Sequence, residues 1–395
     1  MKERQIYVDY NATTPLKEEV KAAMISDLDI YGNASSMHAA GRCARAKVEE
    51  ARAAVGRLVG APAGSIIFSS GGSESNNTVF HTARQLASGA DGSPLKEGRR
   101  KFVVTTAEHP CVLNSAEFAK KLGFSVDFIP VDEHGKVKID ALKAVLSAET
   151  LLVSIMMANN EIGTVQDIKE ISRLVKGVGA FMHTDAVQAV GKIPVNVEDL
   201  GVDYMTMSAH KIYGPKGVGA LYVKKGAPLF PLINGGHQED GLRAGTYNNV
   251  GIFGLGVAAD LAAKDLDEYQ RRTSQLRTRL MSGLQANISN IKVNGHPVDV
   301  LPNTLNVSFP GAEGEAILLS MDIAGIQAST GSACASGSLE PSHVLMAIGA
   351  GAEMAHGSIR FSLGWGTSEE DVDYIIETLP PIIKRLRSMS TVVAA

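Results

Sequence analysis

Lysine 211 stands between an apolar run and a turn rich in glycine and proline. The run covers residues 202–207, and residues 208–217 read SAHKIYGPKG. Burial at the end of a strand lowers the pKa of a lysine and makes its amine available for a Schiff base. Pyridoxal phosphate (PLP) is the usual carbonyl partner of such a lysine. Lys211 therefore predicts PLP chemistry, and the alternative is a solvated lysine beside a glycine turn.

A second reactive side chain lies far downstream, in a segment of small residues. Residues 328–338 read ASTGSACASGS, with a cysteine at position 334. Small residues build little core, so Cys334 is expected to be exposed, to ionise and to move. The chain has three cysteines and no CxxC pair, which argues against disulfides and structural zinc. Cys43 is expected to pack in an amphipathic helix, and Cys111 to be structural.

The elements that must position these side chains alternate between strands and helices. Predicted strands cover residues 66–68, 102–105, 126–129, 151–156, 180–182, 204–207 and 220–223. Predicted helices between them cover residues 76–88, 112–122, 140–147 and 167–176. This alternation predicts an α/β fold with a mostly parallel sheet, which binds ligands at the carboxyl ends of its strands.

Five predicted strands end in polar side chains that could serve one site. In chain order they lead to residues 69–75, to Glu108 and His109, to residues 159–161, to Asp185 and Gln188, and to Ser208, His210 and Lys211. Asp185 could hold a pyridine nitrogen, Gln188 could bond a ring hydroxyl, and His109 could stack on the ring. Each alone could equally be a cap or turn residue. Together they predict an active site at one sheet edge.

These sequences resemble the NifS/IscS-type cysteine desulfurases, PLP enzymes of the class V aminotransferase family. The resemblance extends from residues 9–15 (DYNATTP) to residues 358–363 (SIRFSL). Its most specific parts surround Lys211 and Cys334, where GSAC is followed by LEPS. Residues 183–192 are closer to the NifS branch than to the housekeeping branch.

The resemblance implies PLP-dependent transferase fold type I, with two domains. Residues 16–258 would form a large PLP-binding domain, a mostly parallel mixed sheet flanked by helices. Residues 1–15 and 259–395 would form a smaller α+β domain. That smaller domain would carry the catalytic-cysteine segment at about residues 328–338.

The resemblance also implies a role for each candidate residue. The catalytic residues would be Lys211, Cys334 and His109. The residues that match cofactor-binding positions are Gly72, Ser73, Asn160, Asp185, Gln188, Ser208, His210, Lys211 and Thr246. Thr246 would reach the phosphate bound by a partner subunit, which implies a homodimer. Asn160 and Arg360 would hold the substrate carboxylate, Arg360 through a bidentate fork.

The implied reaction converts L-cysteine to L-alanine and leaves the sulfur on Cys334 as a persulfide. The acceptor would be an iron–sulfur scaffold, for nitrogenase clusters among others, or another sulfur carrier. No resident metal is implied, and Cys334 would contact a cluster only transiently during transfer. Three alternatives share much of this machinery: a selenocysteine lyase, a class V aminotransferase and a non-enzymatic sulfur-carrier subunit.

Global properties exclude other classes of function. The formal net charge is −4 and the basic residues are dispersed, so no nucleic-acid partner is expected. No window approaches 18 apolar residues, and no membrane association is expected. Free cysteines and the absence of a leader-like pattern predict a cytoplasmic protein.

Overall fold

Alternating strands and helices make up most of the computed structural model, which describes residues 5–89, 98–330 and 340–389. The strands are β1 Ile6–Tyr7, β2 Ile66–Ser69, β3 Lys101–Thr105, β4 Ser125–Ile129, β5 Thr150–Ser154, β6 Phe181–Asp185, β7 Tyr204–Ser208, β8 Gly219–Val223, β9 Lys292–Asn294, β10 Thr304–Ser308, β11 Ile326–Gln327 and β12 Ser358–Ser362. The helices are α1 Glu18–Ser26, α2 Ala39–Val59, α3 Gly72–Ala87, α4 Pro110–Lys121, α5 Ile139–Val145, α6 Ile168–Gly177, α7 Val197–Leu200, α8 Asn249–Lys264, α9 Leu266–Asn287, α10 Gly314–Ile323, α11 His343–Ala347, α12 Ala352–His356 and α13 Glu369–Met389. Each strand and helix predicted from the alternation within the first 225 residues is present.

A seven-stranded sheet forms the centre of the described region, in the order β2-β8-β7-β6-β5-β3-β4. Strand β8 runs antiparallel to both of its neighbours, and the other pairs are parallel. Every residue of β5, β7 and β8 is buried, as expected for strands covered on both faces. The carboxyl ends of β2, β3, β5, β6 and β7 therefore meet at one edge.

Helices bury one apolar cluster on each face of this sheet. Helices α2 and α8 contribute to one cluster, and α3 and α4 to the other. Helix α2 is capped at its N-terminus by His38, which accepts a hydrogen bond from the backbone of Gly41, and at its C-terminus by Gly60, whose φ is 67°. Cys43 lies on this helix but is exposed, so the expectation that it packs was wrong. Its position falls on the solvent side of the stripe formed by Ala44 and Val48.

The C-terminal part of the chain has a separate apolar cluster, built from α9, α10, α13 and the sheet β12-β10-β9. Strand β1, near the start of the chain, belongs to it because Ile6 pairs with Ile326 of β11 in parallel register. The predicted domain boundary near residue 258 falls within α8, and the division into two domains stays a prediction. Among the described helices, none has the length and apolar character needed to cross a bilayer.

Candidate active site

A cavity of about 270 Å³ opens at the carboxyl edge of the large sheet. Its wall includes the last residues of β6 and β7, residues from the segments that follow β2, β3 and β5, part of the N-terminal segment and one residue of β12. The predicted site residues that line it are Gly72, Ser73, His109, Asn160, Asp185, Gln188, Ser208, His210, Lys211 and Arg360. The predicted convergence of polar strand ends is thus present in the fold.

The structure does not place the other two predicted site residues, Thr246 and Cys334, in this wall for different reasons: only Thr246 is described. Thr246 is exposed and does not line the cavity. Cys334 lies outside the described residues, as do the neighbouring residues 331–339. The roles expected for Thr246 and Cys334 stay predictions.

Lys211 follows β7 in a turn held by the N-terminal segment. Its Nζ donates to the backbone oxygens of Asn11 at 2.5 Å and Ala12 at 2.7 Å. Two residues later Tyr213 adopts a left-handed φ of 64°, which is strained for a bulky side chain. The backbone N–H of Tyr213 donates to Thr14 Oγ1 at 2.8 Å. The segment that carries Asn11 and Thr14 therefore holds this turn and the lysine amine together.

Asp185 is the last residue of β6, and its carboxylate accepts hydrogen bonds from neutral donors. Its Oδ2 accepts from Asn76 Nδ2 at 2.7 Å, and its Oδ1 accepts from the backbone N–H of Val187 at 3.0 Å. Asn76 also lines the cavity and was missed by the sequence analysis. A signal existed, because Asn76 lies four residues after Gly72 and so on the same face of α3. The arrangement leaves Asp185 able to hold a protonated ring nitrogen.

The phosphate end of the predicted site is the beginning of α3. Gly71 precedes this helix with a φ of 153°, a conformation reserved for glycine. A Cβ on Gly219 would lie 2.7 Å from the Cα of Gly71, so β8 and this turn approach closely. Ser73 and Ser208 line the cavity beside the helix N-terminus, where N–H groups and the helix dipole favour an anion.

His210 and His109 are both held in the neutral form by burial. Burial, with the charges of Lys211 and other lysines, lowers the pKa of His210 to about 4. Burial also lowers the pKa of His109, with Lys211 adding to the effect. Nδ1 of His109 accepts from the backbone N–H of Cys111 at 3.2 Å and lies 3.0 Å from Cys111 Sγ. The neutral ring of His109 therefore carries its proton on Nε2.

Cys111 forms part of the cavity wall rather than of a remote core. Its Sγ accepts from Asn76 Nδ2 at 3.1 Å, and it packs at the edge of the cluster around α4. Burial raises the pKa of the Cys111 thiol to about 12, and the charge of Asp185 acts in the same direction. The thiol therefore stays protonated and can donate to His109.

Arg360 reaches the cavity from β12, on the C-terminal part of the chain. Its side chain is 3% exposed, and Nη2 donates to Asp9 Oδ1 at 2.7 Å. Nη1 donates to the backbone oxygen of Asn160 at 3.1 Å. Its Nε is buried and has no hydrogen-bond partner among the residues that the structure describes. The guanidinium is thus oriented by two contacts while retaining donor capacity, as an anion-binding arginine requires.

Two buried carboxyl groups brace the wall. Glu108 accepts from Thr105 Oγ1 at 2.8 Å and from the backbone N–H of Met156 at 3.0 Å, which ties β3 to the segment after β5. Burial raises the pKa of Glu108 to about 8. Glu161 accepts from Ser342 Oγ at 2.5 Å, and burial raises its pKa to about 7. Although both belong to the polar clusters predicted from the sequence, they join elements instead of lining the cavity.

The sheet order and the lysine at its carboxyl edge define a class, the PLP-dependent transferases of fold type I. Within that class, the chain belongs to the aminotransferase class-V family, whose model matches residues 6–375. Similar solved structures have the same fold over nearly the whole chain. A NifS-like protein superposes with a TM-score of 0.89 at 38% identity, covering 97% of this chain and 100% of that one. A NifS-like protein from Rickettsia africae has a TM-score of 0.86 at 32% identity, with 96% and 100% covered.

Relatives found by sequence also match nearly the whole chain. The chain is 48% identical to a cysteine desulfurase IscS of Dictyoglomus turgidum over 388 residues, 98% of this chain and 96% of the relative. It is 46% identical to cysteine desulfurase IscS 1 of Archaeoglobus fulgidus over 387 residues, 97% of this chain and 98% of the relative. The resemblance to this family is confirmed. Because relatives carry both the IscS and the NifS-like names, assignment to the NifS branch stays a prediction.

Proposed function

We propose that this protein is a PLP-dependent cysteine desulfurase, which converts L-cysteine to L-alanine and passes the sulfur to Cys334. One observation carries the proposal. A single cavity is lined by an amine (Lys211), a carboxylate (Asp185), a neutral imidazole (His109) and a guanidinium (Arg360). The names of the relatives over the full length of the chain support the same reaction.

The side chains around the cavity fit PLP at three points. Lys211 offers an amine for the carbonyl carbon, and Asp185 offers a carboxylate for the ring nitrogen. The N-terminus of α3, with Ser73 and Ser208, offers N–H and hydroxyl donors for the phosphate. The buried Nε of Arg360, which has no partner in the described part of the chain, is a donor that a bound ligand would satisfy. When bound, the cofactor supplies a protonated ring that withdraws electrons from the substrate α-carbon.

Residues on the C-terminal side of the cavity would orient the substrate. Arg360 would bind the carboxylate of L-cysteine through its guanidinium, and the contact with Asp9 holds that group in place. Asn160 lines the same wall and its backbone oxygen fixes the other edge of the guanidinium. This arrangement would direct the substrate amine and thiol toward the sheet edge.

Residues at the carboxyl edge of the sheet would transfer the protons. Lys211 Nζ would remove the α-proton, and the backbone oxygens of Asn11 and Ala12 keep the amine at the cavity. His109 would face the ring and transfer protons through Nε2, because its Nδ1 is engaged by Cys111. Acceptance of the substrate thiol proton by Nδ1 therefore requires His109 to release that bond.

Sulfur transfer would be completed by Cys334. Its thiolate attacks the substrate sulfur, the Cβ–S bond breaks, and the carbon gains a proton, so that one cysteine yields one alanine and one persulfide. The persulfide would pass to an iron–sulfur scaffold or another sulfur acceptor. We also propose a homodimer, in which exposed Thr246 reaches the partner's phosphate. A reducing compartment such as the cytoplasm would keep Cys334 a free thiol.

The test is an assay of alanine and sulfide formed from L-cysteine by purified, PLP-loaded protein with a reducing agent. Alanine should form in step with sulfide, and Cys334→Ser should retain the cofactor but stop alanine release. Cys43→Ser is the matched control, because Cys43 is exposed on α2 and should not affect turnover. Normal turnover by Cys334→Ser would remove Cys334 from the nucleophile role.

The alternatives use the same assay with other substrates. A class V aminotransferase would transfer the amino group of cysteine to an added keto acid, so alanine would form only with pyruvate as the acceptor and no sulfide would be released. A selenocysteine lyase would release selenide from selenocysteine and leave cysteine unchanged. A sulfur-carrier subunit without catalysis would form none of these products, in spite of an intact Lys211 and Asp185.

A further inference from the structure

A second buried lysine lies directly behind the cavity. The side chain of Lys192 is among the largest that are fully buried, with 2% of the residue exposed. Its Nζ donates to Gln188 Oε1 at 2.6 Å and to Asn11 Oδ1 at 2.9 Å. Both acceptors are neutral amide oxygens. Burial of an amine destabilises the folded protein unless the amine is hydrogen-bonded. The burial of Lys192 therefore suggests that its amine has a role at this position.

The contacts of Lys192 fix the orientation of one amide in the cavity wall. A lysine amine donates, so the atom of Gln188 that it meets must be the oxygen. The other end of the amide agrees, because Gln188 Nε2 donates to the backbone oxygen of Asn11 at 2.9 Å. Because its oxygen accepts from Lys192 and one N–H donates to Asn11, Gln188 has its second Nε2 N–H left to offer to the cavity that it lines. An N–H is the group that an ionised ring hydroxyl of PLP would accept from.

The same contacts connect this amide to the reactive lysine. The backbone oxygen of Asn11 accepts from both Gln188 Nε2 and Lys211 Nζ. The side chain of Asn11 is held between Lys192 and Asn303, whose Nδ2 lies 3.1 Å from Asn11 Oδ1. Lys192 therefore supports both the amide and the carbonyl that receives the Lys211 amine. Burial, with the charges of Lys211 and Arg360 adding, holds the pKa of Lys192 well below its usual range.

We propose that Lys192 is a positioning residue, which fixes the Gln188 amide so that its N–H faces the ring oxygen of the cofactor. The proposal rests on the proposed function, because it concerns the PLP that Lys211 would bind. Lys192 does not line the cavity and acts through Gln188. Nothing in the proposed reaction uses the Lys192 amine itself.

The test measures the affinity of the apoprotein for PLP by equilibrium dialysis, with the absorption spectrum of the bound cofactor as a second readout. Lys192→Met keeps the length of the side chain and removes the donor. We expect its Kd for PLP to rise about tenfold, because a misplaced Gln188 amide would lose its hydrogen bond to the ionised ring oxygen. The ratio of the bands of the two ring-protonation forms should change as well, which a purely structural effect would not produce.

A double-mutant comparison separates positioning from packing. Gln188→Ala alone should raise the Kd, and Lys192→Met should add nothing in the double variant, because the two residues act as one unit. Lys101→Met is the control. Lys101 is a partly buried lysine whose Nζ donates to the backbone oxygen of Val145 at 2.7 Å and pairs with Asp127, but it begins β3 and so lies at the amino end of the sheet, away from the cavity. Its affinity and spectrum should match those of the unmodified protein.

Three results would overturn the proposal: an unchanged Kd and spectrum in Lys192→Met, additive effects of the two substitutions, or an equal effect of Lys101→Met. If Lys192→Met does not fold, Lys192→Gln keeps a shorter donor and should shift the Kd in the same direction by a smaller factor. An unchanged Kd in that variant counts equally against it. Failure here leaves the proposed function intact, since that function fails only if the unmodified protein does not bind PLP through Lys211.

Discussion

The two sides of the cavity are built in different ways. On the sheet side, Asp185 and Ser208 are the last residues of β6 and β7, and Lys211 comes three residues after β7, so a local segment positions its own reactive group. On the opposite side, Asn11 and Arg360 come from segments about 350 positions apart in sequence that meet only in the fold. The backbone N–H of Asn11 donates to Ser362 Oγ at 2.9 Å, which ties the N-terminal segment to β12.

Because of this difference, the groups for the reaction and the groups that orient the substrate lie on different sides of the cavity. The sheet side offers an amine, a carboxylate and a helix N-terminus that could bind a phosphate, which are the groups that a PLP reaction needs. The opposite side offers a guanidinium for a carboxylate and backbone oxygens that hold the lysine amine. Substitutions on the sheet side should therefore lower turnover, whereas those on the opposite side should chiefly weaken substrate binding.

The largest effect is expected for Lys211→Ala. Under the proposed function it would remove both the amine for the cofactor and the base for the α-proton, so turnover should fall on the order of 10⁴-fold. The visible absorption of lysine-bound cofactor should disappear with it. Lys224→Ala, a half-exposed lysine just beyond β8, is the control and should retain both signals. An unchanged spectrum in Lys211→Ala would assign the cofactor bond to another amine.

Asp185→Asn should come next. The amide keeps the shape of the side chain but cannot stabilise a proton on the ring nitrogen, so kcat should fall on the order of a hundredfold. Asp203→Asn is the matched control. Asp203 Oδ2 also accepts a hydrogen bond from a backbone N–H, that of Met182 at 2.9 Å, but Asp203 lies at the other edge of the sheet. Steady-state kinetics should show little loss for Asp203→Asn, and an equal loss in both would make the effect of Asp185 structural.

A smaller effect of a different kind is expected for Arg360→Lys. Loss of the fork to the substrate carboxylate should raise the KM for L-cysteine about tenfold or more, with the affinity for PLP unchanged. Arg277→Lys is the control, since Arg277 is a partly buried arginine whose Nε donates to the backbone oxygen of Thr304 at 2.8 Å. A fall in kcat at constant KM would place Arg360 with the sheet side and abolish the distinction between the two sides.

The smallest effect concerns Glu161, which joins the segment after β5 to α11. Its folded pKa of about 7 lies above the ordinary value of 4.5, so the protonated form is favoured by folding. Its contribution to stability is present below pH 4.5 and is lost as the pH rises through 7. Glu161→Gln imitates the protonated form and can still accept from Ser342. Its Tm should therefore match the unmodified protein at pH 5 and exceed it by a few degrees at pH 8.

Thermal unfolding at the two pH values measures this effect. The pH 5 scan is the internal control, because a general loss of packing would lower Tm at both values. A Tm for Glu161→Gln that stays equal to the unmodified protein at pH 8 would mean that Glu161 ionises without cost in the fold. The contact with Ser342 would then not couple the two parts of the wall.

Much of the site was predictable because strand ends are local features. Apolar runs of three to six residues followed by polar groups are visible in the sequence, and parallel strands bring their carboxyl ends to one edge. Asn76, Cys111 and Lys192 were not predicted as site residues. The position of Asn76 on the Gly72 face of α3 could have indicated its role. Cys111 and Lys192 have types and neighbours that are ordinary for helix and turn positions, and only the approach of other segments gives them a role.

The sequence by itself determined which groups are available and which end of the sheet they occupy, because side-chain chemistry and strand alternation are written along the chain. The tertiary structure decided which nitrogen of His109 carries the proton, that Glu108 and Glu161 brace the wall, and that Asn11 meets both lysines. These outcomes depend on burial and on contacts between distant segments. Desolvation and hydrogen-bond geometry exist only once the chain has folded.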